Sequence, residues 1–299
     1  MADPDPTRPL DWVFPDTADG IAAAIAADAT ILWANSVLFE GHPIEAVMGQ
    51  VRIVGQLPAL MQLYDDKFGT NRMLEQAGLP VARSFLMARD GRPGVVALAD
   101  VQAALAQAGL TFPLIVKPVR GRGSQGVSRV ADRNGLIAAA TALIESAKFG
   151  DTLIVEEYLA GEEVTVTVMP PVDGGSHRAL RPVRRFNQED GVAPYNGDVA
   201  VTANSVAIDE AELAQPAVQA MLDACVRAAQ LVGARATIRI DCRADGQGDY
   251  KLFDLNMKPN MTGPGRPGRD DQDCLSAIAA RADGWSFATL LENMLAAAW

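Results

Sequence analysis

The stretch RIDCRADGQGDYKLFDLN, residues 239–256, has the pattern of a β-hairpin. Polar and apolar residues alternate on both sides of a turn that contains glycine. With residues 246–249 as the loop, Asp241 lies opposite Asp254. Opposed residues share one face of a sheet, with their Cβ atoms roughly 4.5–5.5 Å apart. The sequence therefore predicts two carboxylates at close range on one face of the hairpin.

The same register places Arg239 opposite Asn256, next to the aspartates. Because side chains alternate along a strand, the apolar residues fall together on the other face. That face is predicted to join the core, and it consists of Ile238, Ile240, Phe253 and Leu255.

The opposed aspartates require compensation, since like charges directly across two strands are destabilising. A hard divalent cation that prefers oxygen ligands, such as Mg²⁺, would provide it. The candidate ligands are Asp241, Asp254 and Asn256. The alternative is that Arg239 and Arg243 neutralise the aspartates in a surface ladder of salt bridges. A register slip of one residue would move the two aspartates to opposite faces of the hairpin, and no metal site would form.

A second stretch, LIVKPVRGRGSQGVSRV at residues 114–130, is a short apolar strand followed by a cationic, glycine-rich loop. Glycines let backbone N–H groups turn toward an anion, and Lys117 at the strand end supplies a positive charge. The loop lacks the Walker A pattern, and it leads into another strand rather than a helix, unlike a dinucleotide fingerprint. It is predicted to bind phosphate. The alternative is a solvated hairpin loop with ordinary surface arginines.

The segment IVEEYLAGEEVTV, residues 154–166, carries acidic residues on both sides of a turn. Surface carboxylates are usually solvated, and that is one interpretation of them. The other is that they accept hydrogen bonds from a nucleoside, at its ribose hydroxyls or its exocyclic amine. The acidic residues are Glu156, Glu157, Glu162 and Glu163.

The chain has 299 residues, 49% of them apolar, and a formal net charge of −11. This length predicts two or three modules, and the acidity argues against nucleic acid or a membrane surface as a partner. The three cysteines fit free thiols in a reducing compartment, and two histidines are too few for a typical zinc site. The N-terminus does not resemble a signal peptide, and no run approaches the ~18 apolar residues of a membrane span, so a cytoplasmic location is expected.

Local patterns predict further elements along the chain. Strands are expected at DWVFPD, residues 11–16, and at DVAVTANSVAI, residues 198–208. A long helix is expected over residues 210–232, with Asp209 as its cap, and a final helix is expected to begin at Ser286.

Taken in order, these segments resemble the ATP-grasp superfamily, and within it the D-alanine–D-alanine ligase branch. The resemblance also rests on DDKFGTNRMLEQAGLPVA and GWSFATLLENML, and it covers roughly residues 60–299. It implies an α+β fold of mixed α/β type with three parts. These are a short N-terminal α/β domain (1–64), a central ATP-grasp subdomain with a glycine-rich lid (65–155) and a C-terminal subdomain with the metal and substrate site (156–299).

The resemblance implies roles for particular residues in binding ATP and Mg²⁺, or Mn²⁺. The metal ligands are again Asp241, Asp254 and Asn256, so the resemblance and the hairpin pattern agree. Arg239 and Lys117 are implied to stabilise the transferred phosphate. The residues implied to bind ATP are Lys67, Lys117, Ser124, Gly126, Glu156, Glu157, Leu159 and Glu163.

The implied activity is the ATP-dependent joining of a carboxylate to an amine through an acyl phosphate. The implied partner is a small amino-acid-like substrate, and the habit of the family is a homodimer. Some residues depart from the family pattern. Asp254 stands where the family most often has glutamate, and Gly123, Asn260 and Gly265 replace residues that dipeptide ligases use at the acceptor end.

Candidate substrate residues lie in two loops. Arg184, Arg185 and Arg266 could hold a carboxylate, and Asn260 lies near the acceptor. Tyr195 could act as an acid or base; the alternative is that it packs and the arginines are exposed. The short first domain and altered acceptor loop also resemble a D-cycloserine-forming ligase, which closes a ring within one D-amino-acid derivative in antibiotic biosynthesis. A two-substrate dipeptide ligase and a non-catalytic ATP-binding module are the alternatives.

Overall fold

The computed structural model describes residues 8, 11–172, 174–188, 192, 200–265 and 271–299. The strands run along the chain in this order: β1 Ile31–Trp33, β2 Arg52–Val54, β3 Ser84–Ala88, β4 Val96–Ala97, β5 Leu114–Pro118, β6 Ser128–Val130, β7 Thr152–Glu157, β8 Glu163–Met169, β9 Arg178–Ala179, β10 Val183–Arg185, β11 Ser205–Ala207, β12 Ile238–Ala244 and β13 Tyr250–Asn256.

Helices connect and cover these strands. The α-helices are α1 Ala18–Ala26, α2 Pro58–Tyr64, α3 Lys67–Gln76, α4 Val101–Ala108, α5 Arg133–Glu145, α6 Val201–Asn204, α7 Glu210–Leu213, α8 Pro216–Leu231, α9 Leu275–Ala282 and α10 Phe287–Ala296. Short 3₁₀ helices lie at Pro43–Val47 and Leu98–Asp100. Among the described residues, no helix combines the length and apolar character needed to cross a bilayer.

Within the described residues the strands form three sheets. β1 and β2 make a small parallel sheet. The middle sheet has the order β4-β3-β7-β5-β6, and the third sheet has the order β11-β10-β8-β12-β13, with β9 paired to β8. This mixture of helices and sheets agrees with the predicted α+β architecture, while the predicted domain boundaries stay predictions.

Each of the two larger sheets has its own apolar core. The middle sheet packs on α4 and α5 through residues such as Leu105, Leu114 and Leu136. The third sheet packs on α8 and α3 through residues such as Ile238 and Leu74. The third sheet also packs on α9 and α10, through residues such as Val183 and Leu275.

The two larger sheets are joined along β13. The backbone N–H of Leu252 donates to the carbonyl of Pro80 at 2.8 Å, and the N–H of Ala82 donates to the carbonyl of Leu252 at 3.0 Å. The chain entering β3 is therefore bonded to the hairpin of the third sheet. This contact brings the hairpin face next to the strands that carry Lys117 and Glu156.

Two predicted helix caps are present in the structure. Asp209 forms a capping box with Glu212 at the start of α7, and the Ser286 hydroxyl accepts the N–H of Thr289 at the start of α10. The long helix predicted over 210–232 is instead divided into α7 and α8. The division falls before Pro216, because proline disfavours helical geometry in the preceding residue and offers no N–H.

One predicted strand is wrong and another is confirmed only in part. Residues 11–16 form a turn and irregular backbone, since Pro15 cannot donate to a ladder. Of the predicted strand over 198–208, residues 198 and 199 lie outside the described residues, Val201–Asn204 is a helical turn and Ser205–Ala207 is a strand. The Thr202 hydroxyl donates to the carbonyl of Asp271 at 3.0 Å, so a tertiary contact supports the turn despite its β-branched residues.

Gln56 links the N-terminal part of the chain to the third sheet. Its side chain is 3% exposed. The amide nitrogen donates to the carbonyls of Ala236 at 3.0 Å and Met257 at 3.3 Å, and the amide oxygen accepts the N–H of Arg235 at 3.0 Å. One buried side chain thus satisfies several backbone groups at the end of the hairpin.

The substitution Gln56→Ala is expected to lower the free energy of unfolding by about 1–3 kcal/mol, because buried backbone groups would lose their partners. Urea unfolding followed by circular dichroism measures this change. Gln50→Ala is the matched control, since Gln50 is exposed and its side chain donates only to the nearby carbonyl of Ala46. Equal stability of the two variants would contradict the assigned link.

Candidate active site

The hairpin of β12 and β13 carries the predicted pair of aspartates. Asp241 lies opposite Asp254, and Arg239 lies opposite Asn256, which confirms the predicted pairing. The ladder then shifts by one residue, so that Cys242 lies opposite Leu252. The strands end at Ala244 and Tyr250, which leaves residues 245–249 as the loop instead of 246–249.

The shift leaves Phe253 as an extra residue in β13, and this corrects its predicted place in the core. A bulge of one residue changes the side on which a side chain lies. Phe253 lines a cleft: its carbonyl oxygen accepts a hydrogen bond from Lys117 Nζ at 3.2 Å, and its ring centroid lies 5.7 Å from that nitrogen.

Cations and a hydroxyl surround the opposed aspartates. Asp254 Oδ1 lies 2.5 Å from Lys67 Nζ. Asp241 Oδ1 accepts from the Thr165 hydroxyl at 2.6 Å and lies 3.4 Å from Arg239 Nε. Burial acts to raise the pKa of Asp254, but the nearby lysines outweigh it and hold this pKa below its usual value. The Asp254 carboxylate is therefore ionised at neutral pH.

The alternative ladder of Arg239 and Arg243 is only half formed. Arg239 contacts Asp241, whereas Arg243 forms a buried ion pair with Glu163 instead of an aspartate. The aspartate pair is thus met by one cation of the hairpin, Arg239, and by one cation from outside it, Lys67.

The donor set of the hairpin fits a hard divalent cation. No group of three or more histidine, cysteine, aspartate or glutamate side chains with metal-binding geometry occurs in the described part of the chain. The two carboxylates and the Asn256 amide instead form an all-oxygen set, which suits Mg²⁺ or Mn²⁺ when phosphate and water complete the coordination. Asn256 Oδ1 also accepts the N–H of Lys258 at 2.9 Å, which orients the amide.

Lys117 and Glu156 form a buried ion pair in the middle sheet. Their strands are neighbours, and Lys117 Nζ lies 2.7 Å from Glu156 Oε1, with the side chains 6% and 4% exposed. Burial raises the pKa of Glu156, and the charge of Lys117 opposes that rise. Glu156 Oε2 has no hydrogen-bond partner among the described residues, so it is a buried acceptor available to a ligand.

A cleft of about 790 Å³ lies between the two larger sheets, and we call it the narrow cleft. The structure brings most of the predicted ATP-binding residues together in its lining. These are Lys67, Lys117, Ser124, Glu156, Glu157, Leu159 and Glu163.

Two acidic residues of the narrow cleft are held by arginines. Arg83 binds the Glu157 carboxylate through its backbone N–H at 2.8 Å and through Nε and Nη2 at 2.9 and 2.7 Å. The Glu157 side chain is thus engaged, and its backbone N–H also donates to the carbonyl of Arg83 at 3.0 Å. Glu163 pairs with Arg243, and the Tyr158 ring lies 4.5 Å from the Arg129 guanidinium and 5.7 Å from that of Arg243.

Gly126 shapes the glycine-rich loop but does not line the narrow cleft. It has a φ of +73°, and a Cβ there would approach Leu143, Pro118 and Phe149 to 2.9, 3.0 and 3.1 Å. A larger residue would therefore displace the loop. Ser124, in contrast, lines the cleft, and Arg122 ties the loop to Asp65 by an ion pair of 2.8 Å.

A second, wide cleft of about 1640 Å³ adjoins the first. Lys67, Asp241 and Asp254 line both clefts, so the aspartate pair lies where the two meet. The predicted residues that line only the wide cleft are Arg185, Arg239, Asn256 and Asn260.

Arg184 is not part of either cleft, and this corrects its predicted role beside Arg185. Neighbouring residues of a strand project to opposite faces. Arg184 forms ion pairs with Glu162 and Glu212, while Arg185 is buried and lines the wide cleft. The two arginines cannot hold one carboxylate together. Tyr195 and Arg266 lie outside the described residues.

Some site residues were not predicted from the sequence. Thr165 lies opposite Asp241 on the neighbouring strand, and a period-two pattern along β8 could have placed it there. Lys258 is half-buried in the wide cleft, and burial lowers its pKa. It follows Asn256 by two residues, and the only available signal was a lysine within an otherwise uncharged loop.

The substitution Lys117→Met is expected to lower the free energy of unfolding by about 3–5 kcal/mol, because it leaves the Glu156 carboxylate buried without its cation. The double variant Lys117→Met/Glu156→Gln is expected to recover part of that loss. Chemical denaturation measures both changes. Lys148→Met, at an exposed lysine, is the control and should leave stability unchanged. A Lys117→Met protein as stable as this control would show that the pair does not contribute.

Comparison with known proteins shows that the chain is similar to ligases. The family described as D-ala D-ala ligase C-terminus matches residues 73–296. The D-alanine–D-alanine ligase of Haemophilus influenzae (strain PittEE) is 33% identical over 197 residues, which cover 66% of this chain and 61% of that protein. The corresponding ligase of Ectopseudomonas mendocina (strain ymp) is 29% identical over 236 residues, or 77% of this chain and 64% of that protein. The chain thus spans less than two thirds of the length of these relatives.

Solved structures agree with this at the level of the fold. The VanG D-Ala:D-Ser ligase from Enterococcus faecalis has a TM-score of 0.64 and 22% identity, covering 89% of this chain and 72% of that chain. The Bacillus anthracis D-alanine–D-alanine ligase complexed with ATP has a TM-score of 0.65 and 16% identity, covering 94% and 82%. The fold is therefore ATP-grasp. With the family match covering most of its residues, the chain belongs to the D-ala D-ala ligase C-terminus family.

Proposed function

We propose that the protein is an ATP- and Mg²⁺-dependent ligase that joins a carboxylate to an amine. The observation that carries the proposal is the aspartate pair at the junction of the two clefts, with Lys67 and Arg239 in contact with it. One cleft has the lining expected for a nucleotide, and the other is wide enough for a second reactant. Phosphate transfer requires cationic groups at the point where the two reactants meet.

The narrow cleft is the proposed nucleotide site. The unsatisfied Glu156 Oε2 would accept from the exocyclic amine of adenine, with the backbone at Glu157 and Leu159 bounding the base. Glu163 would face the ribose hydroxyls. The phosphates would then extend toward Lys67, Lys117 and Ser124, in the direction of the wide cleft.

Asp241, Asp254 and Asn256 are the proposed ligands of Mg²⁺, or Mn²⁺. When bound, the cation would neutralise part of the charge of the phosphates. Lys67 would balance the remaining charge of Asp254, which it already contacts at 2.5 Å. Arg239, beside Asp241, would stabilise the charge that develops on the transferred phosphoryl group.

In the proposed reaction, an oxygen of the substrate carboxylate attacks the γ-phosphorus of ATP, and the bond to the ADP oxygen breaks. An amine then attacks the carbonyl carbon of the acyl phosphate, loses a proton and displaces phosphate. The glycine-rich loop, which lines both clefts, would shield the acyl phosphate from water. Arg185 and Asn260, which line the wide cleft, would orient the substrate.

The substrate is proposed to be a small amino acid or a derivative of one. The related proteins are named for joining two D-alanines, or D-alanine and D-serine. The departures at Asn260 and Gly265 favour an acceptor other than the second amino acid of the dipeptide ligases. A cyclising ligase of the D-cycloserine type, serving antibiotic biosynthesis, would need no second amino acid. We also propose a homodimer, on the basis of the resemblance alone, and a cytoplasmic location, which the three free cysteines favour.

A phosphate-release screen over D- and L-amino acids, with their ureido and hydroxylamine derivatives, is expected to find a compound that stimulates Mg²⁺-dependent ADP formation. Mass spectrometry of the product then separates the two reactions, because a cyclising ligase consumes one compound and a dipeptide ligase joins two. If ATP binds and no carboxylate stimulates its cleavage, the protein is a nucleotide-binding module and the proposed activity is refuted.

The variant Asp254→Asn is expected to lower the rate of ADP release by about 100-fold or more, because the amide keeps the shape and loses the charge that holds cations at the junction. A titration of the Mg²⁺ dependence should also shift to higher concentration. Asp249→Asn, in the exposed hairpin loop, is the matched control. Wild-type activity in Asp254→Asn would eliminate the proposed metal site.

A further inference from the structure

One cation of the wide cleft has no counter-ion among the residues that the structure describes. Eight described charged side chains line this cleft, and six of them form three ion pairs: Lys67 with Asp254, Arg122 with Asp65, and Arg239 with Asp241. The other two are Lys258 and the buried Arg185, which is engaged in interactions of its own. All three carboxylates in the described lining are used in these pairs. Lys258 lines the same cleft, and no described carboxylate lies within ion-pair distance of its ammonium group.

The backbone that carries Lys258 is held in place. Its N–H donates to Asn256 Oδ1 at 2.9 Å, and the preceding carbonyl, of Met257, accepts from the buried Gln56 side chain at 3.3 Å. The following residue, Pro259, is buried and restricts the backbone of Lys258 to extended conformations. The Lys258 side chain therefore extends from a backbone that is held in place, as is typical of a preorganised binding residue.

The position of Lys258 points to the substrate rather than the nucleotide. Residues that contact both clefts include Lys67 and Ser124, which are the proposed phosphate contacts. Lys258 lines the wide cleft but not the narrow cleft. An anion at Lys258 would thus lie on the side of the aspartate pair that is away from the base and the ribose.

A half-buried ammonium group without a counter-ion is unfavourable, and it gains the most from an anion that enters with the ligand. We propose that Lys258 binds a carboxylate of the amino-acid-like substrate and selects for that charged group. This inference rests on the proposed function for the identity of the substrate. The existence of an anion site at Lys258 does not depend on turnover.

Steady-state kinetics of Lys258→Met, Lys258→Arg and the exposed control Lys148→Met test the assignment. In Lys258→Met, KM for the amino-acid substrate is expected to rise about 10-fold or more, since a charged hydrogen bond is lost, while KM for ATP stays within about two-fold of wild type. Lys258→Arg should recover much of the loss, and Lys148→Met should behave as wild type. An unchanged KM for the amino acid, or an equal rise in KM for ATP, would overturn the proposal.

A binding measurement separates this inference from the proposed activity. Malonate, a small dicarboxylate, is titrated by calorimetry into protein loaded with Mg²⁺ and a non-hydrolysable ATP analogue. Malonate should bind wild type and Lys148→Met alike and Lys258→Met about 10-fold or more weakly. Equal malonate binding by all three proteins, or none by wild type, refutes the anion site. Absence of any amino-acid-stimulated ADP release, with malonate binding intact, refutes the ligase activity alone.

Discussion

The close opposition of Asp241 and Asp254 is the constraint on which the site depends. Two carboxylates across adjacent strands repel each other, and the arrangement persists only where positive groups surround it. Lys67 meets one aspartate from the start of α3, and Arg239 meets the other along β12. The elements that deliver these cations are therefore fixed relative to the hairpin, and this fixes the position of both clefts.

The walls of the narrow cleft contain further charges that are paired with each other. Lys117 is buried with Glu156, and Arg243 is buried with Glu163. Buried pairs of this kind contribute little net stability compared with apolar residues, but the loss of one partner is costly. Their value is positional, because each places an acceptor or a cation in the cleft at a defined point. A nucleotide carries both hydrogen-bond donors, which could meet these acceptors, and negative charge, which could meet these cations.

The sequence predicted the features that depend on the alternation of side chains along strands and on capping residues at helix starts. The pairing of Asp241 with Asp254 and the caps at Asp209 and Ser286 follow from short patterns. The bulge at Phe253 could not be predicted, since both registers satisfy the same alternation and the choice rests on contacts with Lys117, far away in the chain. The pair of Arg243 with Glu163 was missed for the same reason.

Arg184 and α9 show two other limits of sequence patterns. The alternation of side chains along a strand was not applied to Arg184 and Arg185, so their projection to opposite faces was missed. Helix α9 follows a segment that is rich in glycine, proline and aspartate and has no helical periodicity. The helix is stabilised by its packing on the third sheet, which the local sequence does not reveal. The two parts of the hairpin on either side of the bulge at Phe253 should also differ in how well they tolerate insertions and deletions. Insertions and deletions among natural variants should accumulate at residues 245–249, whereas a single residue lost between the bulge and Asn256 would turn a carboxylate away from the junction.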